Sequence, residues 1–399
     1  MAVGDRVIVE VGAVAHGGHC VARHEGQVLF VRHAIPGETV AVRVTSIGRK
    51  ARFVRADAVE ILVASPDRRE APCPVARECG GCDWQHATPA ASRHLKELVV
   101  REAMGRFAGV ELSEAFAVDE VGGPDSPGGA SSGEGLGWRT RGAVSVAGSG
   151  RAGFLGHRSH RTVVIDRCPQ LHPRLDRLDL FTTSWQPGER VGFVAPAEGA
   201  ALAFPESDPP MAPVTEHADG RSWSVAADGF WQVHPGAADA LVGHVRRMLD
   251  PQPGERLVDL YAGVGLFGLS LAGGAAGRLE VTLVEGDPRA CELAAVNAGA
   301  VPVTVDRAGV DQWVTRPGAL EGVDLVVLDP PRTGAGRVVV EAIAAAGPRA
   351  VAYVACDPVA LARDLATFRD HGLAVAELVA LDLFPTTHHV ECVAHLAPE

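Results

Sequence analysis

The chain has 399 residues, of which 47% are hydrophobic and 22% are charged, and its formal net charge is −12. This composition is typical of a folded globular protein, and the negative total argues against a protein that coats nucleic acid with its whole surface. No apolar run approaches the roughly 20 residues that cross a bilayer, and the N-terminus lacks the charged-then-apolar order of a signal peptide. We therefore expect a cytoplasmic, monomeric protein of two or three domains that is not bound to a membrane.

Positive charge is concentrated in two parts of the chain. Residues 1–55 hold eight Arg and Lys against four Asp and Glu, and residues 138–174 hold seven Arg against one Asp. Basic sectors on an acidic protein are typical of binding to a polyanion at one place, although ordinary solvated faces would have the same composition. The candidates for phosphate contacts in the second sector are Arg139, Arg141, Arg158 and Arg161.

The N-terminal residues predict a small β-barrel. Short segments rich in Val alternate with turns such as Gly17-Gly18 and Pro36-Gly37, and their spacing indicates five strands. The predicted strands include 6–11, 27–31, 39–44 and 53–61. This pattern is typical of the oligonucleotide-binding (OB) barrel, and we place this first domain at residues 1–63.

The second predicted domain, residues 64–230, contains a cluster of cysteines. Cys73, Cys79 and Cys82 have the spacing C-x5-C-x2-C, and Cys168 is the candidate for a fourth ligand. Close thiols of this kind indicate a metal site rather than packing. Zinc usually takes C-x2-4-C pairs, whereas a close trio with a distant fourth is more typical of an iron–sulfur cluster. The other elements expected in this domain are a helix over 90–107, a mobile loop over 119–137, and mainly strands from 138 to about 223.

A strand, a glycine turn and a helix open the C-terminal part of the chain. The segment Leu257–Ala272 passes from an apolar run ending at Asp259, through Gly263 and Gly265, into a helical pattern. A second apolar run ends at Glu285, where a carboxylate is placed to accept hydrogen bonds from ribose hydroxyls. Seven predicted strands with helices between them then indicate a doubly wound α/β sheet that binds an adenosyl cofactor.

Three further side chains are expected at the same edge of this sheet, which belongs to a third domain at residues 231–399. Asp329 and Cys356 end two predicted strands, and Glu391 begins the last one, which should run antiparallel. Ligands bind outside the carboxyl ends of strands in open α/β sheets, so the three should converge near Glu285. Singly, Asp329 could cap a helix, Cys356 could be a buried thiol and Glu391 a solvated strand start. Their joint placement favours a catalytic role.

A thiol, a carboxylate and an adenosyl cofactor suggest one reaction in particular. C5 of uracil is too poor a nucleophile to take a methyl group directly. Addition of a thiolate at C6 makes C5 nucleophilic enough to attack S-adenosylmethionine, and a base then removes the C5 proton. In this chemistry Cys356 would be the nucleophile and Glu391 the base, and Asp329 could hold the edge of the pyrimidine.

The chain resembles the S-adenosylmethionine-dependent RNA (uracil-5-)methyltransferases, specifically the bacterial 23S ribosomal-RNA type. The resemblance covers nearly the whole chain apart from residues 119–137. It is carried by the cysteine spacing and by the motifs FWQVHP, DLYAGVG, VEGD, DPPR, YVACDP and HHVEC. It implies an OB-like TRAM barrel, a mixed, mainly β central domain with an iron–sulfur cluster, and a class I (Rossmann-like) methyltransferase domain.

The resemblance also implies roles for individual residues. The nucleophile would be Cys356 and the base Glu391. Cofactor contacts would fall on Gln232, Tyr261, Glu285 and Asp329, beside Gly263 and Gly265 of the glycine turn. The ligands of a [4Fe-4S] cluster would be Cys73, Cys79, Cys82 and Cys168. The implied partner is RNA, with ribosomal RNA favoured over transfer RNA.

Two other functions are open on the sequence. An amino-methyltransferase acting on adenine or cytosine would also use an acidic turn before two prolines, but it needs neither Cys356 nor Glu391. An RNA-binding protein with a degenerate cofactor site would explain the barrel, the basic sectors, and the departures from the family motifs at Leu266 and Ala308. Methyl transfer to unmodified RNA would distinguish this second function from an enzyme.

Overall fold

The N-terminal strands close into a barrel. The computed structural model describes residues 1–48, 53–122, 134–273 and 279–399. The barrel strands, which pair in the order β1-β2-β3-β5-β4, are β1 (Arg6–Ala15), β2 (His19–His24), β3 (Gln27–Arg32), β4 (Thr39–Ile47) and β5 (Val54–Val63). Alternate side chains such as Val9 and Val11 on β1 fill the interior, as the period of two along a strand requires. The predicted five-stranded barrel is confirmed.

A helix connects this barrel to the C-terminal part of the chain. The helix α1 (Pro89–Ala103) begins at Thr88, whose side chain accepts a hydrogen bond from the first turn. Leu95 packs into the barrel core, whereas Val100, on the same helix, packs into the core of the C-terminal sheet. The helix continues into one π-helical turn (Met104–Ala108), so the helical segment ends one residue beyond the predicted range of 90–107.

The prediction of a mobile loop over residues 119–137 is wrong at its start, where a short strand is found. Strand β6 (Val118–Glu120) pairs in parallel with Ala380–Asp382, the last three residues of a long C-terminal strand. Residues 123–133 of the predicted loop lie outside the described residues. Where the chain is described again, Glu134 forms an ion pair with Arg69.

The central part is built from a five-stranded antiparallel sheet and a separate hairpin. The sheet, in the order β11-β10-β7-β8-β9, contains β7 (Arg141–Val146), β8 (Ala152–Leu155), β9 (Thr162–Val164), β10 (Arg190–Val194) and β11 (Leu202–Pro205). The hairpin is formed by β12 (Val214–Ala218) and β13 (Arg221–Val225). The prediction of mainly strands is therefore confirmed. The domain boundaries after residues 63 and 230 stay predictions.

The C-terminal part is a doubly wound sheet of eight strands, one more than predicted because β6 joins its edge. Its order is β16-β15-β14-β17-β18-β20-β19-β6. The other strands are β14 (Arg256–Leu260), β15 (Glu280–Glu285), β16 (Val303–Arg307), β17 (Leu325–Leu328), β18 (Ala350–Ala355), β19 (Leu373–Asp382) and β20 (Glu391–Pro398). As predicted, β20 runs antiparallel to β18.

Helices cover both faces of this sheet. Those on one face are α2 (Ala237–Leu249), α3 (Leu266–Ala272) and α4 (Pro288–Ala298). Those on the other face, beside α1, are α5 (Val310–Trp313), α6 (Arg337–Ala346) and α7 (Pro358–Asp370). Among the described residues, no helix combines the length and the apolar character needed to cross a membrane.

Candidate active site

A cavity of about 910 Å³ opens at the carboxyl ends of the strands in the C-terminal sheet. The strand order reverses between β14 and β17, and ligands of open α/β sheets bind at such a switch point. Seven of the eight predicted cofactor and catalytic residues line this cavity: Gln232, Tyr261, Gly263, Glu285, Asp329, Cys356 and Glu391. The cavity is large enough for a cofactor together with a nucleobase.

The glycine turn after β14 is held against the cavity by the carboxylate at the end of β15. Glu285 accepts hydrogen bonds from the Gly263 N–H at 2.8 Å and from the Asp287 N–H at 2.7 Å. Tyr261 and Gly263 both have positive φ, at 62° and 55°. A Cβ on Gly263 would meet no atom within 4 Å, so this backbone borders open space in which a ligand can lie close.

The second predicted glycine, Gly265, does not line the cavity. Its φ is 92°, and an added Cβ would lie 2.7 Å from Cδ1 of Leu269. Glycine is therefore required here by the packing at the start of α3, and the contact of Gly265 with a cofactor stays a prediction. Leu266, which departs from the family motif, is buried as the first residue of α3.

Beneath the glycine turn lies a buried acid, Asp259. One of its carboxylate oxygens accepts a hydrogen bond from the Gly268 N–H at 2.8 Å, and the other has no partner among the described residues. Burial raises the pKa of Asp259 to about 8, and the hydrogen bond from Gly268 only partly opposes this. Asp259 thus supports the glycine turn and the start of α3 from beneath, and it does not line the cavity.

Cys356 and Glu391 are neighbours because of the register of two antiparallel strands. Ala355, the last residue of β18, pairs with Cys392 of β20. The next step along each strand brings Cys356 and Glu391 together at the edge that faces the cavity. The Glu391 side chain is only 3% exposed, whereas Cys356 is half-buried.

The electrostatic surroundings of these two residues favour their neutral forms. Burial, the Glu391 carboxylate and the Asp329 carboxylate raise the pKa of Cys356 to about 12, and Arg332 opposes this. Burial and the nearby Asp329 raise the pKa of Glu391 well above its ordinary value, again against Arg332. Burial also raises the pKa of Asp329 to about 7. Perturbed acids that share a cavity are typical of catalytic sites.

The four predicted metal ligands also lie together, in a smaller cavity of about 20 Å³ lined by Cys73, Cys79, Cys82 and Cys168. The Gly81 N–H donates to the Cys79 sulfur at 3.4 Å, and the Gln85 side-chain amide donates to the Cys82 sulfur at 3.0 Å. Burial raises the pKa of Cys168 to about 11, and the Gln170 backbone hydrogen bond and Arg139 partly oppose this. Within the described ranges, no group of three or more His, Cys, Asp or Glu side chains is arranged to hold a metal ion.

The cysteine loop contacts residues 383–390, which precede the candidate base Glu391, and the barrel contacts the residue after Cys356. The Asp83 and Trp84 N–H groups donate to the Thr386 carbonyl, and the Asp83 carboxylate pairs with His388 at 2.6 Å. In the barrel, His16 lies between β1 and β2, and its Nε2 is 3.3 Å from the Asp357 carboxylate, next to Cys356. Sequence reasoning missed this contact because nothing local to His16 indicates its partner.

Other cavity residues were also missed by sequence reasoning. They include the aromatic side chains of Trp138 and Phe230, the imidazole of His389 and the guanidinium group of Arg332. Arg139, which the sequence predicted as a phosphate contact, also lines this cavity. Phe230 is 73% exposed at the wall of the cavity. The signal that could have found Phe230 and Arg332 is their position within the FWQVHP and DPPR motifs.

The predicted phosphate contact at Arg141 is wrong. Its side chain is buried, donates to Glu216 at 2.9 Å and to the Gly229 carbonyl at 2.7 Å, and so is occupied inside the protein. Arg158 and Arg161 are exposed, and Arg161 forms an ion pair with Glu78 at 3.0 Å. Part of the positive charge of residues 138–174 is therefore buried inside the protein.

Two family models match parts of this chain. A family model described as TRAM domain matches residues 2–59. A second model, described as tRNA (Uracil-5-)-methyltransferase, matches residues 321–398, which include Asp329, Cys356 and Glu391.

Relatives match the chain over its length. A Streptomyces avermitilis protein named as an uncharacterized RNA methyltransferase is 46% identical, covering 99% of this chain and 99% of its own. A Corynebacterium efficiens protein of the same description is 33% identical, covering 98% of this chain and 94% of its own.

A solved structure shares the fold. The tRNA (uracil-54, C5)-methyltransferase of Pyrococcus abyssi, in complex with S-adenosyl-L-homocysteine, aligns with a TM-score of 0.67 and 22% identity over 97% of this chain and 99% of that chain. The predicted α/β class I methyltransferase fold with an OB-like TRAM barrel is confirmed.

Proposed function

Because the chain belongs to the RNA (uracil-5-)methyltransferase family, we propose that it transfers the methyl group of S-adenosylmethionine to C5 of a uridine in RNA through a covalent adduct at Cys356. The observation that carries this proposal is the placement of Cys356, Glu391 and Asp329 on one cavity beside the glycine turn. An amino-methyltransferase would need no thiol paired with a buried carboxyl group, so the pair argues against that alternative.

The residues around the glycine turn fit an adenosyl cofactor. Gly263 presents open backbone, and Glu285 keeps lone pairs free for ribose hydroxyls while it holds the turn. Gln232 and Tyr261 line the same cavity and would contact the rest of the cofactor. When bound, S-adenosylmethionine supplies an electrophilic methyl group, and its sulfur keeps the bonding electron pair and leaves as a thioether.

The chain's own residues would activate the uracil and restore it. The Cys356 thiolate forms a bond to C6, and the electrons of the C5–C6 double bond move toward the O4 oxygen, so that C5 becomes the nucleophile. After C5 carries the methyl group, the Glu391 carboxylate takes the C5 proton. The double bond then forms again and the bond between C6 and Cys356 breaks, which releases the thiolate. Asp329, on the same wall, would hold the edge of the pyrimidine.

This mechanism predicts a rate that rises with pH. Cys356 must act as thiolate and Glu391 as carboxylate, and the pKa of each is raised in the free protein. We expect the single-turnover rate of methylation at saturating RNA to increase from about pH 6 to about pH 9. RNA binding measured at the same pH values is the control, and a rate that falls over this interval would contradict the assignment.

The favoured substrate is ribosomal RNA, because the barrel combined with four clustered cysteines resembles the ribosomal-RNA type. Transfer RNA is the second candidate, since the matching family model and the Pyrococcus abyssi enzyme both carry transfer RNA in their descriptions. Mapping 5-methyluridine in RNA from cells with and without the gene tests both. Loss of a mark in 23S ribosomal RNA supports the first, and loss in transfer RNA supports the second. No lost mark, with no methyl transfer in vitro, would favour an RNA-binding protein with a degenerate cofactor site.

We also propose that the four clustered cysteines hold a [4Fe-4S] cluster. Four thiols with N–H donors to two of their sulfurs are a donor set typical of such clusters. The thiolates of Cys73, Cys79, Cys82 and Cys168 would hold the cluster, and the cavity of about 20 Å³ between them would have to widen to admit it.

Anaerobically purified protein is therefore expected to be brown and to contain about four iron and four sulfide per chain. Cys79→Ser should lose most of the iron, because one of the four ligands is removed. Cys20→Ala, which removes a buried thiol in the barrel away from this cavity, should retain it. One tightly bound zinc ion without sulfide would contradict the cluster.

A further inference from the structure

The loop that connects β17 to α6, residues 329–336, carries two side chains of the active-site cavity. Asp329 begins this loop and Arg332 follows it, and both line the cavity. Three residues after Arg332, the Ala335 N–H donates to the Tyr353 hydroxyl at 2.9 Å and to the Asp364 carboxylate at 2.8 Å. The loop backbone is therefore held close to Arg332 by two side chains that belong to other elements.

These two side chains lie on the elements that flank Cys356. Tyr353 is on β18, three residues before the cysteine, and Asp364 is on α7, which begins two residues after it. The Tyr353 side chain is fully buried, and its hydroxyl donates to Asp364 at 2.6 Å. Burial and the Asp364 carboxylate raise the pKa of Tyr353, so its hydroxyl stays protonated. The network thus joins the 329–336 loop to the strand and the helix that hold Cys356.

The contact between the loop and Asp364 leaves no spare room. Gly334 has a φ of 87°, and a Cβ added there would lie 2.6 Å from Oδ2 of Asp364. The same oxygen accepts from the Ala335 N–H and lies 3.4 Å from the Gly336 nitrogen. Glycine is therefore needed at position 334 both for its left-handed backbone and for the close approach of the carboxylate.

Arg332, by contrast, has no side-chain anchor. Its side chain is exposed in the cavity, and among the described residues it forms no hydrogen bond or ion pair. The position of its guanidinium therefore depends on the backbone of the loop. The carboxylates of Glu391 and Asp329 oppose ionisation of the Cys356 thiol, and the charge of Arg332 favours it. The same charge also acts on His389 and Arg139 across the cavity.

We propose that Tyr353 and Asp364 are positioning residues, which hold the 329–336 loop so that the Arg332 guanidinium faces Cys356 and stabilises its thiolate. Neither Tyr353 nor Asp364 lines the cavity, so both act through the loop. If the loop moved away, the thiol would be left beside two carboxylates without this cation. The inference rests on the proposed function, which makes Cys356 the nucleophile.

The test measures the charge near Cys356 with two thiol reagents, iodoacetate and iodoacetamide. Both react with the thiolate, so a change in the pKa of the thiol alters the two rates alike, whereas Arg332 attracts only the anionic reagent. The rates are followed by mass spectrometry of the peptide that contains Cys356, in full-length protein without RNA or cofactor. The ratio of the iodoacetate rate to the iodoacetamide rate therefore reports the position of the guanidinium independently of methyl transfer.

We expect Asp364→Ala to lower this ratio by about threefold or more, because the loop loses its acceptor and Arg332 moves away from the thiol. Tyr353→Phe should lower the ratio in the same direction. Gly334→Ala removes no hydrogen-bonding group but forces the loop away from Asp364, so it should act like Asp364→Ala. Asp364→Asn should keep a ratio near that of the wild type, because its amide oxygen still accepts from Ala335.

Arg332→Ala shows whether the effect depends on the guanidinium. Alone, it should lower the ratio at least as far as Asp364→Ala, and the double variant should show no further decrease. Asp324→Ala is the matched control, because its carboxylate accepts from the Arg256 N–H at 2.9 Å at the opposite end of β17. This control should keep the wild-type ratio.

Thermal unfolding identifies the variants that fold, and Tyr353→Phe and Gly334→Ala decide the matter if Asp364→Ala does not fold. A wild-type ratio in the folded variants would overturn the proposal. So would an equal decrease on adding Asp364→Ala to Arg332→Ala, or with Asp324→Ala. Methyl transfer to RNA by the wild type is measured separately. Its absence would refute the proposed function, whereas an unchanged reagent ratio would refute only this inference.

Discussion

Cys356→Ala is expected to abolish methylation and covalent attachment to RNA together. Without a thiolate at C6, C5 never becomes nucleophilic, so the loss should be roughly 10⁴-fold or more. Cys356→Ser should be almost as inactive, because a hydroxyl in this buried, carboxylate-rich surrounding is far harder to ionise than the thiol, whose own pKa is already raised to about 12. Transfer of a radiolabelled methyl group to RNA measures the rate, and a denaturing gel detects the adduct.

Cys20→Ala separates this effect from a general loss of a buried thiol. Cys20 is fully buried in the barrel core, so its removal should cost stability but leave both methylation and adduct formation intact. Thermal unfolding of each variant shows whether the fold is retained. If Cys356→Ala still methylates uridine in RNA, the covalent mechanism is wrong.

Glu391→Gln is expected to stop the reaction at a later point. The amide keeps the shape of the side chain but cannot take the C5 proton, so addition and methyl transfer can occur while release of Cys356 stalls. Turnover should fall by about 10² to 10⁴, and a denaturation-resistant protein–RNA adduct that already contains the transferred methyl group should accumulate. The wild-type enzyme should form a comparable trapped adduct only on RNA containing 5-fluorouridine, because fluorine cannot leave as a proton does.

Glu377→Gln is the matched control for this substitution. Glu377 lies on the neighbouring strand β19, where it pairs with Arg247 at the surface, so its amide variant should turn over normally. A Glu391→Gln adduct that contains no label from the cofactor methyl group would contradict the role of Glu391 as the base. Such a result would mean that Glu391 is needed before the methyl group is transferred.

The sequence predicted the C-terminal sheet well because its central strands, such as β17 (Leu325–Leu328) and β18 (Ala350–Ala355), are apolar runs that stop just before a polar residue. The predicted run 350–356 differs from the observed β18 by one residue. The convergence of Asp329, Cys356 and Glu391 followed from a general rule, since parallel strands end at one edge and an antiparallel strand begins there. The observed register of β18 and β20 agrees with that rule.

Short elements and long-range partners could not be predicted in this way. Strand β6 has only three residues, too few for a periodic pattern, and it is a strand only because the edge of β19 is available to it. Arg141 belonged to a basic sector by composition, yet it pairs with Glu216 of β12, which the central sheet and hairpin bring together. Composition alone cannot separate a buried ion pair from a solvated charge.

The sequence by itself thus predicted the N-terminal barrel, the class of the C-terminal sheet and the side chains that meet at its edge, because these depend on patterns local to each segment. Only the tertiary structure decided which cavity the residues share, that Gly265 serves packing while Gly263 borders the cavity, and that His16 of the barrel reaches Asp357 beside the nucleophile. The physical reason is that these contacts join segments far apart in the chain, and their geometry depends on how the packed barrel, central sheet and α/β sheet meet.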